Sequence, residues 1–178
     1  MKKLKFFLST LLVFLLMMAS AGCYMIQGQR MWRVKGTYEL TTYTFTNGHT
    51  DKSTDYIAEH GYKVYLIVTG NSQGYCVFSD NDTQPYYYQC TLTYHYNEED
   101  SNKIDYVEYS HQGKSQKFGV TKGGLNFSRP VVKIGSAATN GLSISWKRVD
   151  NDTDLSYAKK QLGTISEESS TLEHTEIH

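Results

Sequence analysis

The chain has 178 residues with 18 basic and 18 acidic side chains, which suits one domain large enough to enclose a core or a pocket. It carries no long basic block, and this argues against nucleic acid as a partner. Fifteen tyrosines tilt the composition toward strands and half-buried surfaces.

The first element is not expected to be structural. Lys2, Lys3 and Lys5 precede an apolar run from Phe6 to Met18, which is short of the roughly 20 residues that a membrane-spanning helix needs. A positive start, a short apolar middle and small residues before a break describe a secretory signal peptide. Ser20-Ala21-Gly22-Cys23 resembles the lipobox of bacterial lipoproteins, with serine where leucine is commonest. The resemblance implies cleavage before Cys23, a diacylglyceryl group on its thiol and a stable two-chain membrane attachment. The alternative is ordinary signal cleavage beside an incidental cysteine. On the lipoprotein reading residues 1–22 are the signal and residues 23–31 a lipidated tether. Removal of three lysines leaves 15 basic residues against 18 acidic ones, a mildly negative mature chain.

Residues 32–149 read as a series of about nine strands. In "GTYELTTYTF" Tyr38 and Leu40 share one phase while Tyr43 and Phe45 fall on the other, so a β-bulge near Thr41 or Thr42 is expected, unless the strand ends at Thr41. "YKVYLIVT" reads as a strand buried more deeply than its neighbours. "YYYQCTLTYHY" alternates cleanly, with Tyr86, Tyr88, Cys90, Leu92, Tyr94 and Tyr96 on one face. "LSISWKR" repeats the pattern with Leu142, Ile144 and Trp146. Turn signals at Asn47-Gly48, Gly70-Asn71, Asp80–Gln84, Asn97–Asn102, Gln112-Gly113 and Gly123-Gly124 separate the runs. The fold class is therefore all-β, an antiparallel up-and-down meander of eight or nine strands. Closure into a barrel removes exposed edges; an open sandwich is the alternative.

Cys76 and Cys90 lie on consecutive strands, symmetric about a turn at Asp82–Gln84. A symmetric hairpin makes them direct neighbours on one apolar face, with Phe78 opposite Tyr88, within reach of a structural disulfide. Two buried thiols are the other possibility. After the last strand, residues 150–163 contain "DLSYAKKQL", a short helix capped by Asp154 with Leu155 and Leu162 on one side. Residues 164–178 are polar and acidic, and a disordered tail is expected there.

"MWRVKGTYEL" at the first strand and "LSISWKRV" at the last resemble the two ends of a lipocalin-like (calycin) barrel. That family carries G-x-W on its first strand and an arginine that packs on the tryptophan. Gly36-Thr37-Tyr38 matches with tyrosine for tryptophan, Trp32 lies just upstream, and Arg148 is in the arginine's place. The resemblance implies a barrel-closing pack of Trp32, Tyr38 and Arg148, a short C-terminal helix, and an interior that takes a small apolar ligand. Thr54-Asp55-Tyr56 spells another family motif but follows the first strand, where the family does not place it.

These readings lead to a lipid-anchored protein of a bacterial cell envelope, facing the periplasm or the exterior, with the membrane and a small hydrophobic ligand as its partners. The ligand-facing candidates are Tyr38, Leu40, Val64, Leu66, Val68, Phe78, Tyr88, Leu92, Tyr94, Tyr106, Phe118, Phe127, Ile144 and Trp146; the competing reading is that they simply fill the interior. A surface module for proteins or glycans is the second class, with Tyr86, Tyr87 and Tyr88 as contact residues. Catalysis has little support. The six histidines form no H-E-x-x-H pattern, no G-x-S-x-G is present, and no cofactor or metal is expected.

Overall fold

Eight strands close on themselves. The computed structural model describes residues 28–167; the expected signal, Cys23, and residues 168–178 with His174 and His178 lie outside the described residues. The barrel strands are β2 (Gly36–Thr46), β4 (Lys63–Val68), β5 (Gln73–Ser79), β6 (Tyr86–Tyr96), β7 (Lys103–His111), β8 (Lys114–Val120), β9 (Gly124–Arg129) and β12 (Gly141–Asp150). Each pairs antiparallel with the next, and β12 returns to pair with β2, completing the ring. The short elements are β1 (Gln29–Arg30), β3 (Ser53–Asp55), a β10 (Lys133–Ile134) and β11 (Ala137–Ala138) hairpin, β13 (Ser166–Glu167), and helices α1 (Met31–Val34), α2 (Tyr56–His60) and α3 (Ser156–Leu162).

Bulges bend the long strands into the ring. Ser145 pairs with Thr42 but Trp146 with Leu40, so Thr41 is the extra residue, where the phase of β2 shifts in the sequence. A second bulge lies where Arg148 pairs with Tyr38 and Asp150 with Thr37. A third lies where His95 pairs with Tyr106 and Tyr96 with Ile104, so Asp105 is the extra residue of β7.

One end of the barrel is shut. Val34, Tyr38, Leu92, Ile104, Val107, Val120 and Leu125 are buried there. The Tyr38 hydroxyl donates to the Val34 carbonyl at 2.7 Å, which fixes α1 beneath the barrel. Arg148 donates to the Lys35 carbonyl and lies across Gly36. Trp32 takes no part in this pack: it is 61% exposed and carries the Arg33 guanidinium 4.6 Å above its ring. Of the three expected partners, Tyr38 and Arg148 meet on adjacent strands, while α1 uses Val34 as its buried contact and leaves Trp32 on its outer side.

The outer wall of β4 and β5 is covered as well. Tyr65, Ile67 and Val77 point away from the interior and form a second core with Ala158 of α3 and Ile165. That accounts for the apolar character of β4 on both faces. Asp154 accepts from the Ser156 amide at 2.8 Å at the start of α3, and Leu155 and Leu162 pack at its margins. The expected disorder from residue 164 is corrected at its start: Ile165 is buried and β13 pairs in parallel with Tyr86 and Tyr87. The tether is likewise shorter than expected, because Gln29 and Arg30 pair with Ile104 and Lys103.

The expected disulfide is absent; Cys76 and Cys90 are buried thiols. The β5–β6 register is offset by two residues from the symmetric hairpin. Cys76 stands opposite Tyr88, Cys90 opposite Gly74, and Phe78 opposite Tyr86. The two cysteines are therefore diagonal neighbours, about 7–8 Å apart in an ideal ladder, beyond the reach of ordinary disulfide geometry. The turn sets this offset: Asp80 accepts from the amides of Asp82 and Thr83 and from the Thr83 hydroxyl.

Candidate functional site

Above the closed end the interior is open, with a cavity of about 460 Å3. Its wall is built by inward positions of seven of the eight barrel strands together with Tyr62, which precedes β4. Leu40, Val64, Leu66, Phe78, Tyr88, Phe118, Ile144 and Trp146 line it as expected from strand phase. Tyr38, Val68, Leu92 and Tyr94 face inward too, but in the filled lower half; the Tyr94 hydroxyl accepts from the Gly70 amide at 3.1 Å. Phe127 packs against the core opposite Ile144, outside the cavity wall.

Tyr106 is the exception. It is 38% exposed and pairs with His95 on the outer surface. The inward residues of β7 are Ile104, Val107 and Tyr109, because the bulge at Asp105 separates Ile104 from the phase of Val107 and Tyr109. Tyr43, Tyr62, Cys76, Tyr109, Gln116 and Leu142 complete the wall. Several were signalled in the sequence: Tyr62 continues the phase of Val64 and Leu66, Gln116 that of Phe118, and Tyr43 returns to the interior once Thr41 is skipped.

The wall contains no lysine, arginine, histidine, aspartate or glutamate. Its polar groups are uncharged: the hydroxyls of Tyr43, Tyr62, Tyr88 and Tyr109, the Cys76 thiol, the Gln116 amide and the Trp146 indole N–H, which is buried without a hydrogen-bond partner. The Tyr109 hydroxyl donates to the Tyr88 oxygen at 3.0 Å, and Tyr88 is hydrogen-bonded to the Cys76 thiol. Burial, then Cys76 and Tyr109, push the Tyr88 hydroxyl far above the usual tyrosine range. Burial and the neighbouring Cys76 push the Cys90 thiol up to about 12. Both groups are neutral at physiological pH. Gln116 pairs with Tyr109 across the β7–β8 ladder, and its amide donates to the Lys117 carbonyl at 2.9 Å.

The mouth lies at the end away from α1, and half its rim is aromatic. Rings follow one another at centroid spacings of 4.2 to 6.4 Å through Tyr43, Tyr56, His60, Tyr62, Phe78, Tyr86, Tyr88 and His111. Helix α2 supplies Tyr56 and His60 to this arc. Asp55, of the Thr54-Asp55-Tyr56 triplet, starts the helix by accepting from the Ile57 and Ala58 amides at 3.1 and 3.3 Å. Tyr87 faces the other way and packs under the C-terminal segment. Across the mouth the β10–β11 hairpin exposes Ile134 and Val132.

Outside the barrel, His95 meets Glu108 at 3.0 Å with Lys117 at 3.8 Å from the same carboxylate oxygen. The hydrogen bond from His95 is the main cause that holds Glu108 below the usual carboxylate range. This is a solvated surface ion cluster. Among the described residues no group of three or more His, Cys, Asp or Glu side chains could hold a metal ion. Comparison of the chain with protein-family models, with curated proteins and with solved structures finds no match, so what the barrel does has to be read from its own residues.

Proposed function

We propose that this chain is a cell-envelope lipoprotein, anchored through Cys23, whose lipocalin-like barrel binds one small apolar or lipid-like ligand. The observation that carries this reading is the cavity. Its 460 Å3 lies within the roughly 300–1,000 Å3 of small-molecule sites, and an apolar wall with a few convergent polar groups is their usual character. A barrel without a ligand role would gain from filling that space, since voids forfeit packing contacts.

The anchor reading adds a direction. Gly28 enters at the closed end, beside Lys103 and Ile104, and only four residues separate it from Cys23. Such a link extends at most about 18 Å, so lipid on Cys23 would hold the closed end near the membrane and turn the mouth toward the aqueous side. Among the described residues no helix is long and apolar enough to cross a membrane. Mass spectrometry tests both halves of the proposal. The mature N-terminal peptide should begin at Cys23 and carry diacylglyceryl, and gently extracted native protein should release a small apolar molecule. An unmodified Cys23 removes the anchor; a barrel that is empty as isolated and takes up no apolar probe removes the ligand.

The aromatic rim favours a second reading, a contact surface for glycans or proteins, since stacked tyrosines offer rigid amphipathic area. On that reading Tyr56→Ala and Tyr86→Ala weaken binding of the partner while ligand uptake into the cavity is unchanged.

A further inference from the structure

The cavity wall specifies the charge of what it holds. Resting on the ligand-binding reading, we infer that the occupant is an uncharged amphiphile, such as an alcohol or amide on one alkyl chain or small ring system, whose polar group meets Tyr88, Tyr109 and Gln116.

Three observations converge. First, no carboxylic acid, amine, guanidinium or imidazole lines the cavity, so a carboxylate or ammonium taken inside would lose water with no countercharge to replace it. Arg148, an inward cation paired with Tyr38, is not on the wall. It lies at the closed end beside Tyr38, engaged with the Lys35 carbonyl. At the rim Glu59 and Asp80 stand near Tyr62, each facing the His60 imidazole.

Second, the polar groups present are hydrogen-bonding and neutral. The Tyr109–Tyr88–Cys76 chain commits its hydroxyl hydrogens internally and offers oxygen lone pairs as acceptors. Gln116 sits across from Tyr109 in the ladder and commits an amide hydrogen to Lys117, which leaves its carbonyl oxygen as an acceptor. The Trp146 indole N–H, buried on the same wall without a hydrogen-bond partner, is a donor, so a hydroxyl or primary amide finds both acceptors and a donor in this cavity. Third, size limits the tail. The cavity has the liquid volume of roughly fifteen waters, enough for one chain or compact ring system and not for both chains of a membrane lipid.

The test uses the purified full chain carrying Trp32→Phe, so that Trp146, on the cavity wall, is the remaining tryptophan. Decanol, decanamide, decanoate and decyltrimethylammonium are titrated at neutral pH below their micelle concentrations while Trp146 emission is followed. Decanol and decanamide should bind about tenfold or more tighter than either ion. Tyr109→Phe in the same background should weaken both neutral probes by about threefold to tenfold and leave decane binding unchanged. Decanoate or decyltrimethylammonium binding as tightly as decanol overturns the inference and leaves the ligand-binding reading intact. If decane and all four amphiphiles leave Trp146 unmoved, both fall together.

Discussion

Gly36 controls how the barrel closes. Its φ of +139° is a conformation that residues with a Cβ rarely adopt. An added Cβ would stand 2.4 Å from the Asp150 carbonyl oxygen and 2.8 Å from Arg148 Nε. Backbone cannot yield as a side chain can, so Gly36→Ala should cost about 3 kcal/mol or more, measured by urea unfolding. A loss below about 1 kcal/mol would mean that Arg148 and the β12 bulge are not seated as described. At this scale the sequence was legible where a residue's role follows from strand phase. Gly36, Tyr38 and Arg148 do assemble, and eight of the cavity residues follow from alternation. It misled where residue type was weighed above parity. Tyr106, expected inside, shares its phase with Glu108 and lies outside; the parity of Val107 and Tyr109 is the guide to the interior of β7. Trp32 failed for another reason, since a single-turn helix redirects it and four residues give no periodicity to read.

At the scale of elements, the outer core under α3 ties the C-terminal segment to the barrel. Ala158 is fully buried against Tyr65, Ile67 and Val77, and Ile165 is 9% exposed at the edge of that cluster. Ile165→Ala should lower stability by about 2 kcal/mol, the low end for buried isoleucine because the site touches solvent. Its urea midpoint should fall with an unchanged slope. No measurable change would show that β13 and Ile165 rest on the barrel without stabilising it. The helix was readable from its apolar spacing and the Thr41 bulge from the phase shift in β2. Asp154 is not the helix cap, however: the N-cap is Leu155, without a side-chain hydrogen bond, and Asp154 one residue earlier accepts from the Ser156 amide. The β5–β6 register was not. A two-residue slide keeps every side chain on its own face, so the hydrophobic pattern cannot tell Cys76 opposite Cys90 from Cys76 opposite Tyr88. Only the turn decides, through hydrogen bonds from Asp80. Strands as short as β1 and β13 carry no pattern at all.

For the whole molecule, closure followed from the count of strands and their short turns, whereas the volume left inside depends on side-chain packing that no periodicity encodes. The same tyrosine-rich interior makes the barrel sensitive to alkali. Burial is the leading cause that raises Tyr38, Tyr65 and Tyr94 to about 12; Tyr88 is raised further, and Cys90 also to about 12. All are raised, so the native state keeps protons that the unfolded chain releases. Below about pH 8 both states hold them and this contribution is fully present; Cys90 is the first that the unfolded chain ionises, near 9. Between about pH 10 and 12 the unfolded chain ionises first and stability falls. One group moved from 10 to about 12 contributes at most ~2.7 kcal/mol. Four such tyrosines give a slope of at most ~5 kcal/mol per pH unit, against a total of only about 5–15 kcal/mol for a domain. The barrel should therefore unfold cooperatively above pH 10, with a step in phenolate absorbance that coincides with loss of the far-ultraviolet strand signal. If every tyrosine instead titrates near 10 while the strand signal persists, the interior is wetter than this packing allows, and the case for an uncharged ligand weakens with it.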